Sequence, residues 1–216
     1  MTTKHYELTE ETIDWYGHTL HRIKATKDLH KHEIKEGDLG GFIESYENLR
    51  DDAWVFDDAK VFDNAKVFDK ASVFGNAKVF GNAKVYGSAK VFGNAWLFGA
   101  AIVSGFAEVY GYTKVFGNAW VGGDTKVYGD AEVHGYAEVF GEAIIQSTGD
   151  YAVFKNWWSS GRHFTWTRSN DMWRVGCFYG TGKELIKKAY EDSELSGKCY
   201  EQTVKYAEAI NNTINK

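Results

Sequence analysis

Three groups of residues in this 216-residue chain are of types that do chemistry. His18, His21, His30 and His32 fall within fifteen residues of one another, and imidazoles at that density can hold a zinc ion. No cysteine accompanies them and two stand on a short hairpin with its tip in solvent, so surface histidines are the plainer reading and no metal is expected. Gly180-Thr181-Gly182-Lys183-Glu184 has the look of a phosphate-binding loop. It lacks the required order, because Cys177 stands where the first glycine belongs and Glu184 follows the lysine in place of Ser or Thr. A helix-capping box accounts for it better. Third, Lys60, Phe62, Lys78, Phe80, Phe98, Lys114 and Phe116 interleave cations with aromatic rings, the combination that stacks nucleobases and neutralises phosphates. Cys177 and Cys199, the only thiols, lie among apolar neighbours and are expected to be reduced core residues. None of these groups calls for a cofactor.

The third group belongs to a repeat. From Ala53 to Thr148 a small residue, a polar one, an aliphatic, an aromatic and a two-residue turn recur with a period of six and no insertion. Gly41-Phe42-Ile43 and Glu47-Asn48-Leu49 keep the same register. Alternation along a strand sends the Ala and Val positions inward and the Lys and aromatic positions outward. The turn pairs, Gly-Asn above all, tolerate positive φ and bend the chain after each short strand. Three such strands close a three-sided coil of 18 residues, and six coils at about 4.8 Å make a rod of about 29 Å.

Outward residues then sort into columns. A first face carries Phe56, Phe74, Phe92, Tyr110 and Tyr128; a second carries Phe62, Phe80, Phe98, Phe116 and His134 beside Lys60, Lys78, Trp96, Lys114 and Glu132. On the third, Phe68, Tyr86, Ser104, Gly122 and Phe140 run beside Lys66, Lys84, Ile102, Trp120 and Glu138, so the ladder breaks at Ser104 and Gly122 and a notch is expected there. Stacked rings can simply stiffen a rod. So many outward aromatics nevertheless exceed the few hundred Å² of exposed apolar patch usual for a monomer. A homo-oligomer, dimer or trimer, or a protein partner is expected to cover them, at the departures from the repeat: Trp96, Ile102, Ser104, Trp120, Gly122 and His134.

The flanks read differently. Residues 1–40 alternate as short strands and form an N-terminal β cap over the first coil, residues 41–148 are the β-helix, and residues 149–216 are a C-terminal α+β unit of three strands and two helices. Net charge is −5, against a generic nucleic-acid binder. Within the repeat the signs separate, with Lys60, Lys66, Lys70, Lys78, Lys84 and Lys90 early and Asp124, Asp130, Glu132, Glu138 and Glu142 late. No apolar run approaches the roughly 18 residues of a membrane span, and the N-terminus has no signal-peptide stretch. A cytoplasmic protein is expected.

An aliphatic residue every six positions with a small one two places before it resembles the hexapeptide repeat of left-handed parallel β-helices, a family known from trimeric acyltransferases and γ-type carbonic anhydrases. The resemblance implies an all-β solenoid and its left hand. It does not carry those activities over, because an acyltransferase needs a positioned histidine and usually a loop between coils, and the anhydrase needs three histidines. His134 is the only histidine in the repeat. The flanks, Gly37-Asp38-Leu39-Gly40-Gly41-Phe42-Ile43-Glu44 and Trp173-Arg174-Val175-Gly176-Cys177-Phe178-Tyr179-Gly180-Thr181, resemble phage- and prophage-encoded hexapeptide-repeat proteins. That implies a non-enzymatic binding or scaffold protein, at work in the host cytoplasm against a host defence or regulatory complex. A nucleotide or nucleic-acid binder using the Lys/aromatic face, or an acyltransferase with an interface active site, is the alternative.

Overall fold

The computed structural model describes residues 4–214. An antiparallel hairpin, β1 (Tyr6–Trp15) and β2 (His18–Ala25), leads through β3 (Leu39–Ile43) into a run of two-residue strands from β4 (Trp54–Val55) to β19 (Ile144–Ile145). These start every six residues and pair parallel with the strand three further on, so Lys60 lies beside Lys78 and Ile102 beside Trp120. The result is a parallel β-solenoid with three sheet faces, and β3 joins it by pairing with β5 (Lys60–Val61). Strands this short hold because Val61, Val67, Val73 and their counterparts are wholly buried, each over the Ala of its own hexad. Burying one such side chain is worth about 1.5–3 kcal/mol.

The corners explain one change in the repeat. Later coils turn on glycines with φ near 70°, such as Gly99, where a side chain would crowd the backbone of the next corner. Early coils use Asp57, Asp63 and Asp69 at φ of 53–58° instead. Each carboxylate accepts the N–H of the glycine one coil on, Gly75, Gly81 and Gly87, at 2.9–3.0 Å, which offsets the cost of the left-handed backbone.

Both ends of the solenoid are closed by side chains. At the first coil the unpaired groups are carbonyls, and the flanking residues bring donors to them. The His5 ring meets the Ala53 carbonyl at 3.0 Å, the Tyr6 hydroxyl donates to the Leu49 carbonyl at 2.9 Å, and the His32 ring meets the Asp52 carbonyl at 2.6 Å. At the last coil unpaired N–H groups dominate, and the C-terminal unit brings oxygens. Tyr151 Oη accepts from the His134 N–H and donates to the Glu132 carbonyl; Thr165 Oγ1 and Ser169 Oγ accept from the Glu138 and Ile144 N–H groups; and Asp150 accepts from Gln146. Each of the three faces thus meets its own oxygen.

That C-terminal unit is a four-stranded antiparallel sheet, β20 (Tyr151–Lys155), β21 (His163–Thr167), β22 (Met172–Val175) and β23 (Phe178–Thr181), packed on α1 (Gly182–Asp192) and α2 (Glu194–Ile214). The expected third strand is two, because Gly176 takes φ 58° and reverses the chain at Cys177. Cys177 is therefore exposed and Cys199 half-buried; both are free thiols, as expected, but neither is a core residue. Thr181 and Glu184 form the capping box of α1. Gly197 lies inside α2, where a side chain would overlap the Tyr190 ring of α1. No helix among the described residues is long and apolar enough to cross a membrane.

Two outcomes follow from the caps. Tyr151→Phe removes two hydrogen bonds from the last coil, at about 0.5–1.5 kcal/mol each, and should lower Tm by about 2–12 °C in a chain of this size, read by circular dichroism. A Tm within about a degree of wild type would mean that water serves this edge as well. Burial pushes the His5 and His32 rings below the ordinary imidazole pKa of 6.5, against the opposing pull of their carbonyl partners. Below that pH the unfolded chain binds more protons than the folded one, so their contribution is complete above it and lost on acidification. Denaturant unfolding of His5→Gln between pH 7 and 5 should show a shallower loss of stability than wild type.

Candidate binding face

The second solenoid face combines most of the sequence-expected ligand residues. Its ladder is a true stack: Phe62–Phe80, Phe80–Phe98, Phe98–Phe116 and Phe116–His134 lie 4.9–5.2 Å apart with nearly parallel rings. The hairpin closes the early end of this face, packing Ile13 and Trp15 near Phe42, Phe62 and Phe80. Lys60 lies 4.8 Å from the Trp15 ring and donates to the Asp58 carbonyl. Lys78 sits between Trp15 at 5.4 Å and Trp96 at 5.2 Å. Burial lowers the pKa of both lysines. Lys114 is paired with Glu132 at 2.8 Å. All three lysines expected to grip a ligand are thus engaged within the chain.

What this face leaves open is its corner with the first face. A groove of about 560 Å³ runs there between Lys78, Asn94, Trp96, Tyr112, Lys114, Asp130 and Glu132. Trp96 is 37% exposed and Tyr112 68%. Tyr112 was not among the residues expected from the sequence, nor were Phe106, 68% exposed, and Tyr136, whose ring stacks 4.3 Å from His163. The signal was available: all three occupy the second turn position, which carries Asn, Asp, Ser, Lys, Ala or Glu in every other hexad from Asp58 to Glu142. An aromatic ring held in water at a turn adds nothing to the core.

Ile102, Ser104, Trp120 and Gly122 lie on the third face. The notch expected there is filled. Trp120 Nε1 donates to Ser104 Oγ at 2.8 Å, its indole meets Phe140 edge-on at 5.0 Å, and the Phe140 ring occupies the space a side chain at Gly122 would need. Ser104 and Gly122 are consequently buried. Small residues here make room for an indole to lie down, not for a partner to enter.

The histidines are dispersed. His21 meets the Thr9 carbonyl, His32 the Asp52 carbonyl, and His18 lies between two carboxylates, Nδ1 3.0 Å from Glu44 and Nε2 3.6 Å from Asp63. One ligand atom from each of the three groups falls within 4.8 Å of the others, and the Glu44 hydrogen bond raises the His18 pKa. His134 is exposed and stacked on Phe116. No protein-family model and no curated protein matches the chain.

The contacts around Lys78 give a fluorescence test. Trp96→Phe should leave stability within about 0.5 kcal/mol of wild type, as exposed substitutions do, while reducing but not abolishing the iodide-quenched emission, because Trp157, 79% exposed, remains. Loss of folding would make Trp96 a core residue.

Proposed function

We propose that this chain is a non-enzymatic binding protein whose rigid solenoid presents the Trp96–Tyr112 corner to a macromolecular partner. The observation that carries this reading is the exposed aromatic pair, set over Asn94, Lys114 and two carboxylates on a scaffold capped at both ends. Trp and Tyr anchors ringed by polar groups are the usual composition of a protein-binding hot spot. Resemblance of the flanks to phage and prophage proteins makes the partner a host protein in the host cytoplasm, with a defence or regulatory complex as the target. A nucleic-acid ligand is favoured by Lys78 beside Trp96, but the engagement of Lys60, Lys78 and Lys114 within the chain weakens it. His134, stacked and lying apart from the groove, gives the acyltransferase alternative no general-base arrangement to build on.

In an affinity pull-down from a lysate of the bacterial host, the full chain should retain one protein in stoichiometric amount, and Trp96→Ala with Tyr112→Ala should lose it. Each anchor is expected to contribute about 2 kcal/mol or more, roughly 30-fold in affinity. Capture unchanged by the double substitution would move the contact off this corner. Micromolar binding of a labelled single-stranded oligonucleotide that weakens with salt would transfer the reading to nucleic acid.

A further inference from the structure

The third face carries a pattern that pairs with itself. Five strands build it: β6 (Lys66–Val67), β9 (Lys84–Val85), β12 (Ile102–Val103), β15 (Trp120–Val121) and β18 (Glu138–Val139), in that stacking order. β12 is the middle strand. Its outward residue is Ile102, half-buried, and the corner beside it holds Phe106, 68% exposed. On the early side stand Lys66, Lys70 and Lys84; on the late side stand Trp120, Asp124, Glu138 and Glu142. On this edge Asp69 is turned onto the Gly87 N–H and Asp51 onto the Asp69 N–H, while Asp52 lies one coil before β6, so within the five strands lysines dominate what projects from the early half.

We propose that this face is a dimer interface with a second copy of the chain, related by a two-fold axis lying along β12, so that the two rods run antiparallel. A rotation of that kind keeps position across the strand and reverses position along the rod. Ile102 then meets Ile102 of the second copy, and Phe106 meets Phe106. Lys70 meets Glu142, Ser88 meets Asp124, and Lys84 comes over the Trp120 indole, a cation–π contact. Lys66 meets Glu138, which Arg174 already holds at 3.1 Å, so the interchain charge is carried chiefly by Lys70 and Glu142. Rings and aliphatics fall at the centre and complementary charges at the ends, the arrangement of an isologous interface.

Trp120 lies over Ser104 and the Phe140 ring fills the space at Gly122, so neither gap in the ladder is empty, and at the late end the Arg174 guanidinium lies 4.6 Å over the Phe140 ring. Five strands at about 4.8 Å span roughly 24 Å, and with a face about 20 Å wide the contact buries on the order of 1,000 Å² in total, the lower end for a specific interface. The dimer leaves the Trp96–Tyr112 corner outside the contact, so it is independent of the partner-binding reading above.

The experiment is light scattering of the full chain coupled to size exclusion, at about 100 µM and at low and high salt. A mass of twice 24.4 kDa is expected for wild type, shifting toward monomer as salt rises. Ile102→Asp with Phe106→Asp should give a monomer whose circular dichroism matches wild type. Lys70→Glu alone should weaken association at least several-fold, and Lys70→Glu combined with Glu142→Lys should restore it, because in a two-fold dimer each reversed charge meets its reversed partner. A monomeric wild type, a trimer, or a double reversal that fails to recover the dimer while the fold is intact would each overturn the proposal.

Discussion

Everything in this molecule rests on hydrogen bonds between one coil and the next. A strand of two residues makes too few bonds to persist alone, and the chain turns a corner every six residues, so no coil has an independent reason to exist. What holds it is that each coil offers its neighbour a set of carbonyls and N–H groups, over a core of Ala and Val in which Thr113, Thr125, Leu97 and Ile145 are the substitutions. The price of that arrangement is two ends that want another coil. Carbonyls are left over at one and N–H groups dominate at the other, and an open end of either kind would recruit any free strand edge.

The two caps answer that chemical asymmetry with opposite chemistry. Imidazole and phenol groups face the carbonyl end; hydroxyl and carboxylate oxygens face the N–H end. Tyr151 does both jobs, since its hydroxyl accepts from one residue of the last strand and donates to another, as the backbone of a further strand would. The hairpin has a second task. Continuing the second sheet as antiparallel strands, it covers the start of the Phe ladder with Trp15.

The solenoid was legible because its signal is redundant: two positions of every six are buried, at a fixed spacing, coil after coil. Columns and stacking followed from the same arithmetic. The fold of the flanks was legible in kind, as strands before the rod and strands and helices after it, but the split between β22 and β23 hung on a single left-handed glycine, Gly176. That a cap covers the first coil was legible, but the cap contacts were not, because Thr165 and Ser169 look like any strand or turn residues until the N–H groups they face are known. At the candidate site the sequence pointed to Trp96 and passed over Tyr112, because attention went to strand positions and not to turns. The Ser104–Gly122 gap was read as empty, since column arithmetic counts side chains without telling which way a neighbouring indole lies.

The cap contacts have one more implication. The hydrogen bonds touch backbone groups that every coil possesses, while Arg174 on Glu138 and His163 on Tyr136 are contacts of the last coil alone. The last coil must therefore keep its side chains, but the number of coils before it is free. Duplication or loss of an 18-residue segment would move the C-terminal unit along the axis by about 4.8 Å while leaving its seating intact. The distance between the hairpin and the C-terminal sheet is thus a quantised length, adjustable in whole steps by recombination within the gene, and the rod is a ruler as much as a platform.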